Sequence, residues 1–150
     1  MSLLQGTRLL TGSQDHTIRV YRADDGVGVY TLHGHTGPIS SLFIDRLSPS
    51  TAGSASVDGL LCVWDLLTGA CMYSIQAHTG AVLSLAYSPS YVVSLGEDGR
   101  LCVWERMQGH LINSINTTAL GESDCPDLVM LTHNLLITGG KVSLVHQKWW

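Results

Sequence analysis

Ser54-Ala55-Ser56-Val57-Asp58-Gly59-Leu60-Leu61-Cys62-Val63-Trp64 runs from a small-residue segment through Asp-Gly into a short apolar stretch ending on Trp. Ser94-Leu95-Gly96-Glu97-Asp98-Gly99-Arg100-Leu101-Cys102-Val103-Trp104 repeats it 40 residues later, and Thr11-Gly12-Ser13-Gln14-Asp15-His16-Thr17-Ile18-Arg19-Val20-Tyr21 anticipates it by 43. Upstream, Gly34-His35-Thr36-Gly37 aligns with Ala77-His78-Thr79-Gly80, again 43 residues apart. Several landmarks recurring together at about 40–45 residues mark a repeat architecture in which each unit is one supersecondary element.

Each unit divides into short strands. Residues 38–45 and 81–87 alternate small or polar with apolar side chains, as half-buried strands do. The runs 60–64 and 100–104 follow Asp-Gly, a two-residue hairpin signal. Leu67-Thr68-Gly69 and Met107-Gln108-Gly109 mark the next turns, before strands at 70–75 and 110–115. No helical period is sustained. Four strands per repeat without helices predict an all-β propeller, with pieces at about 1–33, 34–76, 77–115 and 116–150.

The first piece reads as strands b, c and d only, and the last as a, b and c. The total is about three and a half four-stranded blades, where propellers close with roughly four to eight. An incomplete ring, or a segment of a larger propeller, is therefore expected, because a ring left open exposes strand edges. The last repeat, 127–146, lacks a Gly-His before its first strand and an Asp before its third. Lys148-Trp149-Trp150 does not read as a strand.

The chain of 150 residues is 45% hydrophobic and 13% charged, the composition of a packed domain. Its net charge of −4 provides no general attraction for nucleic acid. No apolar run approaches the roughly 18 residues of a membrane span, and the N-terminal residues lack the pattern of a signal peptide. Cys62, Cys71, Cys102 and Cys125 show no CxxC spacing, and with that cysteine usage a cytosol-facing, reducing environment is expected. The sequon Asn116-Thr117-Thr118 would matter only in a lumenal protein.

His35, Ser54 and Asp58 are the three residue types of a hydrolytic triad, and His78, Ser94 and Asp98 repeat them. A catalytic triad has no reason to occur once per repeat, which favours a scaffold role and no enzyme. There is no phosphate loop, no HExxH and no Cys/His cluster at zinc spacing, so neither cofactor nor metal is expected. His33 and His35 read as turn residues. Arg8, Arg19 and Arg22 flank the first b–c hairpin and form either a local anion-recognising patch for a partner or ordinary solvated charges.

The period, the His-containing loop, the Asp-bearing turn and the terminal Trp resemble the WD-repeat family. That resemblance implies two buried tetrads, His35–Ser54–Asp58–Trp64 and His78–Ser94–Asp98–Trp104, in which Asp accepts from His, His bonds Ser and Ser bonds the indole. More narrowly, residues 12–22, Thr31-Leu32-His33-Gly34-His35-Thr36-Gly37, Ile44-Asp45 and Asn134-Leu135-Leu136-Ile137-Thr138-Gly139-Gly140 resemble the C-terminal propeller of the SCAP family, the sterol regulatory element-binding protein cleavage-activating proteins. The resemblance implies a protein-binding platform for the C-terminal domain of the membrane-bound transcription factor precursor. It also implies a membrane-anchored parent that carries this precursor from endoplasmic reticulum to Golgi for proteolytic activation in sterol homeostasis. A generic WD-repeat adaptor, such as a ubiquitin-ligase substrate receptor or a trafficking subunit, is the alternative. A hydrolase built on His35, Ser54 and Asp58 is the third reading.

Overall fold

In the computed structural model, residues 2–5, 7–45, 50–116, 128–132, 135–138 and 143–146 are described. The first blade is an antiparallel sheet in the order β1 (Ser2–Gln5), β2 (Arg8–Gly12), β3 (Ile18–Arg22), β4 (Gly28–Leu32). The second comprises β5 (Ile39–Ile44), β6 (Thr51–Ser56), β7 (Leu60–Asp65) and β8 (Ala70–Gln76), and the third β9 (Val82–Tyr87), β10 (Tyr91–Gly96), β11 (Arg100–Glu105) and β12 (Leu111–Asn116). A three-stranded sheet of β13 (Leu128–Thr132), β14 (Leu135–Thr138) and β15 (Ser143–His146) follows. First strands contact one another in chain order, β1 with β5, β5 with β9 and β9 with β13, so the fold is a partial β-propeller.

Burial explains the strand chemistry. The middle strands of the second and third blades are sandwiched between neighbouring sheets, so β7 and β11 are buried on both faces and read as continuous apolar runs. Small residues in β6 (Ala52, Gly53, Ser54, Ala55) let the adjoining sheets approach. The outer strands β8 and β12 are largely exposed and mixed in composition. Leu10, Ile18, Val20 and Leu32 of the first blade pack on Ile44, Ala52, Cys62, Trp64 and Leu66 of the second. Phe43, Ala55 and Leu61, on the opposite face of the second blade, meet Val82, Leu85, Val92, Cys102 and Trp104 of the third. Each such aliphatic side chain removed from water contributes about 1.5–3 kcal/mol before the entropy of ordering it is charged.

Two expectations are corrected. The first blade has four strands, because β1 pairs with β2 from Ser2↔Thr11 to Gln5↔Arg8. A four-residue strand with no Gly-His before it carries no repeat landmark. The Asp-Gly hairpins are also not two-residue turns. A two-residue type I′ turn needs positive φ at both central residues, whereas in each of these two turns only the glycine has it, Gly59 at 83° and Gly99 at 76°. Gly59 N–H donates to Ser56 O at 3.2 Å, closing a three-residue loop, Val57-Asp58-Gly59. In the first blade His16 takes the same left-handed position at φ 72°.

Polar contacts also join the blades. Tyr30 Oη donates to Leu67 O at 2.6 Å, and one blade on Tyr73 Oη makes a similar contact to Arg106 O, one position earlier in the turn. Ser41 Oγ accepts from Leu85 N–H at 3.3 Å. Arg106 reaches back to pair with Asp45, only 2% exposed, and donates from Nη1 to Ser88 O at 3.0 Å. The position of Arg106 corresponds to Leu66 in the second blade, so one blade boundary is closed by an apolar side chain and the next by a buried ion pair.

Deleting one member of a buried pair strands the other charge, which costs about 3–5 kcal/mol. Arg106→Ala is therefore expected to lower the unfolding free energy by about that amount in urea titrations, while Asp45→Asn combined with Arg106→Met recovers much of it. A loss under about 0.5 kcal/mol for Arg106→Ala would show that the pair does not hold the second and third blades together.

Candidate functional site

The Asp of each b–c turn has a local function first. Its carboxylate accepts the amide two residues on: Thr17 N–H to Asp15 at 3.0 Å, Leu60 N–H to Asp58 at 2.8 Å and Arg100 N–H to Asp98 at 3.1 Å. This is an Asx turn, and it fixes the carboxylate over the hairpin. In the second and third blades the loop from the preceding outer strand then brings a histidine to it.

In the second blade His35 Nδ1 lies 3.2 Å from Asp58 Oδ2, and His35 Nε2 lies 2.7 Å from Ser54 Oγ. Trp64 Nε1–H donates to the same Ser54 Oγ at 2.8 Å. In the third blade the matching distances are 3.0 Å for His78 Nδ1 to Asp98, 2.8 Å for His78 Nε2 to Ser94 Oγ, and 2.9 Å for Trp104 Nε1 to Ser94 Oγ. Both serines are 0% exposed. One proton arrangement satisfies every atom: indole N–H to Ser Oγ, Ser hydroxyl to His Nε2, and His Nδ1–H to carboxylate.

Two partners of Asp58 were not read from the sequence. Thr36 N–H donates to its Oδ2 at 2.8 Å, and Ser56 Oγ accepts the Asp58 amide at 3.0 Å. In the third blade Gly96 stands where Ser56 does, and with its backbone in this position a Cβ would run into the His78 ring and the Asp98 carboxylate. Burial works to raise the Asp58 pKa but is outweighed by hydrogen bonds from Ser56, Thr36 and Leu60 and by the His35 ring, which hold it below the usual value. For His35 burial is the larger influence and lowers its pKa, with Asp58 pulling the other way.

The first blade has Thr11, Asp15 and Tyr21 in these positions and no histidine. Thr11 and Tyr21 are half-buried, and the exposed Asp15 accepts from Thr17 Oγ1 at 2.6 Å and Arg19 Nη2 at 3.0 Å. The Thr17 hydroxyl, Thr17 amide and Ser13, with Arg19 last, bring the Asp15 pKa down to about 2.

Arg8, Arg19 and Arg22 do not form one patch. Arg8 and Arg22 face each other across β2 and β3, whereas Arg19, opposite Thr11, lies on the other face of the sheet. Arg22 pairs with Asp25 at 2.8 Å, and Arg19, with Tyr21, Gly28, Val29, Tyr30 and Thr31, lines an open groove of about 270 Å³. His33 is exposed, while both ring nitrogens of His35 are engaged within the blade. Among the described residues no three His, Cys, Asp or Glu side chains cluster to hold a metal, and no helix is long and apolar enough to cross a membrane. Cys125, Thr117, Thr118 and Lys148-Trp149-Trp150 lie outside the described residues.

The SCAP β-propeller family matches this chain over residues 4–148. The chain belongs to the SCAP β-propeller family. The sterol regulatory element-binding protein cleavage-activating protein of Xenopus laevis is 45% identical over 78 residues, covering 52% of this chain and 6% of that protein. Other WD-repeat relatives of this SCAP propeller include the p21-activated protein kinase-interacting protein 1-like of Xenopus laevis, 37% identical over 79 residues (53% of this chain, 21% of that protein), and Coronin-7 of Mus musculus, 37% identical over 89 residues (55% and 10%). The computationally designed Ika4 protein superposes at a TM-score of 0.84 with 25% identity, over 97% of this chain and 88% of that one. The SCAP propeller segment thus spans only a small part of its natural relatives.

The pH dependence of the second-blade network follows from His35. Its folded pKa is depressed, so the unfolded chain binds more protons below the usual histidine value of 6.5. Its contribution to stability is complete above pH 6.5 and is lost as pH falls below that toward the lowered value; that of Asp58 is lost only below about pH 3.8. Chemical denaturation from pH 7.5 to 5 should show stability falling, with a shallower slope in His35→Gln. Ser54→Ala should cost about 1–3 kcal/mol for each buried group it leaves unpaired, read at pH 7.5. Stability independent of pH in this window would contradict the buried neutral imidazole.

Proposed function

We propose that this chain supplies blades to the protein-binding platform of a SCAP-like escort protein. In this reading the platform holds the C-terminal domain of a membrane-bound sterol regulatory element-binding protein precursor for endoplasmic reticulum-to-Golgi transport and proteolytic activation. The observation that carries it is the family match over residues 4–148, together with the 45% identity to a protein named for cleavage activation of that factor. The membrane anchor and the endoplasmic reticulum and Golgi location belong, in this proposal, to the parent protein.

The same proposal makes His35, Ser54, Asp58 and Trp64, with His78, Ser94, Asp98 and Trp104, scaffold rather than catalytic groups. A nucleophilic serine must present its oxygen to a substrate. Ser54 and Ser94 are instead fully buried, and each oxygen already takes an indole N–H. A generic WD-repeat adaptor is the second reading, favoured by the kinase-interacting and coronin relatives.

The test is co-precipitation of the purified precursor C-terminal domain with this chain and with a longer parent containing it. Retention by the parent, reduced by Trp64→Ala through loss of the fold, is expected. A folded parent that fails to retain the domain would leave the adaptor reading in its place.

A further inference from the structure

The second and third blades carry the same buried cysteine in different company. Cys62 Sγ lies 3.6 Å from Ser74 Oγ across β7 and β8, and Cys102 Sγ lies 3.7 Å from Ser114 Oγ across β11 and β12. Each outer strand has a β-bulge beside the Trp, between Val63 and Trp64 and between Val103 and Trp104. Opposite Trp104 that register sets Leu111, but opposite Trp64 it sets Cys71. Cys62 and Trp64 project from the same face of β7, so Cys71 is the diagonal cross-strand neighbour of Cys62, and the two thiols interact.

Access divides the pair. Cys71 is exposed on the outer strand β8, with its thiol 3.4 Å from Tyr73 O, whereas Cys62 is 1% exposed. A solvent-borne reagent therefore meets Cys71 before Cys62. Among the described residues β8 pairs as a strand with β7 alone, so adjustment at the bulge disturbs no second ladder, while Tyr73 Oη stays tied to Arg106 O.

We infer that Cys71 and Cys62 form a thiol–disulfide modification site, in which Cys71 reacts with a low-molecular-weight disulfide and Cys62 resolves the adduct into a cross-strand disulfide. With glutathione disulfide as oxidant, the Cys71 thiol loses its proton to solvent and its sulfur attacks one glutathione sulfur. The glutathione S–S bond breaks, and one glutathione leaves as thiolate and is protonated. Cys62, deprotonated in turn, attacks Cys71 Sγ, the mixed disulfide breaks, and the second glutathione leaves. Two protein thiols are oxidised and one external disulfide is reduced to two thiols.

Burial raises the pKa of both thiols, that of Cys62 to about 12, so the reaction is slow at neutral pH and accelerates about tenfold per pH unit as thiolate accumulates. Diagonal neighbours in a sheet sit about 7–8 Å apart, and a disulfide needs Cα atoms about 4.4–6.8 Å apart. Oxidation therefore draws β8 inward at the bulge, where Met72 is the extra residue.

The folded chain is incubated with glutathione disulfide at pH 8.5, alkylated, and cut before aspartates, which separates Cys62 (58–64) from Cys71 (65–97). A linked pair of these peptides is expected in wild type and absent in Cys71→Ser. Leu111→Cys is expected to create a second bridge, to Cys102, because the two blades share their register. The proposal is overturned if Cys62 and Cys71 stay free, or if glutathione remains on Cys71 unresolved, while the chain keeps its native circular dichroism.

Discussion

Trp64 has to bury its rings between two sheets and still find an acceptor for one N–H. At 2% exposure it has no water, and an unpaired donor there would forfeit on the order of 1–3 kcal/mol. Ser54 Oγ meets the need at 2.8 Å, which obliges the serine to give its own proton elsewhere. His35 Nε2 takes it, so the ring proton sits on Nδ1 and requires an anion, and Asp58 is already there closing the hairpin. Each residue type follows from the one before it. Where the first blade replaces Trp by Tyr21 and has no histidine, Asp15 keeps its turn and turns to Arg19.

The repeating parts of this arrangement were legible in the chain because they recur at a fixed spacing. The His loop, the Asp turn and the Trp strand all stand at 40 or 43 residues, and the strands fall close to where alternation and Asp-Gly put them. What does not recur was not legible. Asp45 and Arg106 are 61 residues apart, and their counterparts Ser88 and Leu66 make no such pair, so no comparison of repeats could join them. β1 is short and lies ahead of every landmark. The three-residue loop at Val57-Asp58-Gly59 takes Val57 out of the ladder and leaves positive φ to Gly59 alone, a register that the Asp-Gly pair does not reveal. Arg8, Arg19 and Arg22 are close in sequence, yet strand alternation sends Arg19 to the opposite face.

Stiff blades suit a platform that others bind. The networks lie within sheets, the apolar clusters and the Tyr30, Tyr73 and Arg106 contacts lie between them, and the outer strands stay open. This distribution fits the propeller family to which the chain belongs. Within it the two histidines bridge loop and hairpin, with both ring nitrogens of each engaged inside the blade.

The most direct measurement is solvent exchange of the indole protons together with the ring-nitrogen shifts of His35 and His78 in labelled protein. Indole protons of Trp64 and Trp104 that exchange only on opening of the fold, with both histidines as the Nδ1–H tautomer, are the predicted result. Fast exchange at either indole, or an Nε2–H tautomer at either histidine, would contradict the scaffold account and reopen these residues to chemistry.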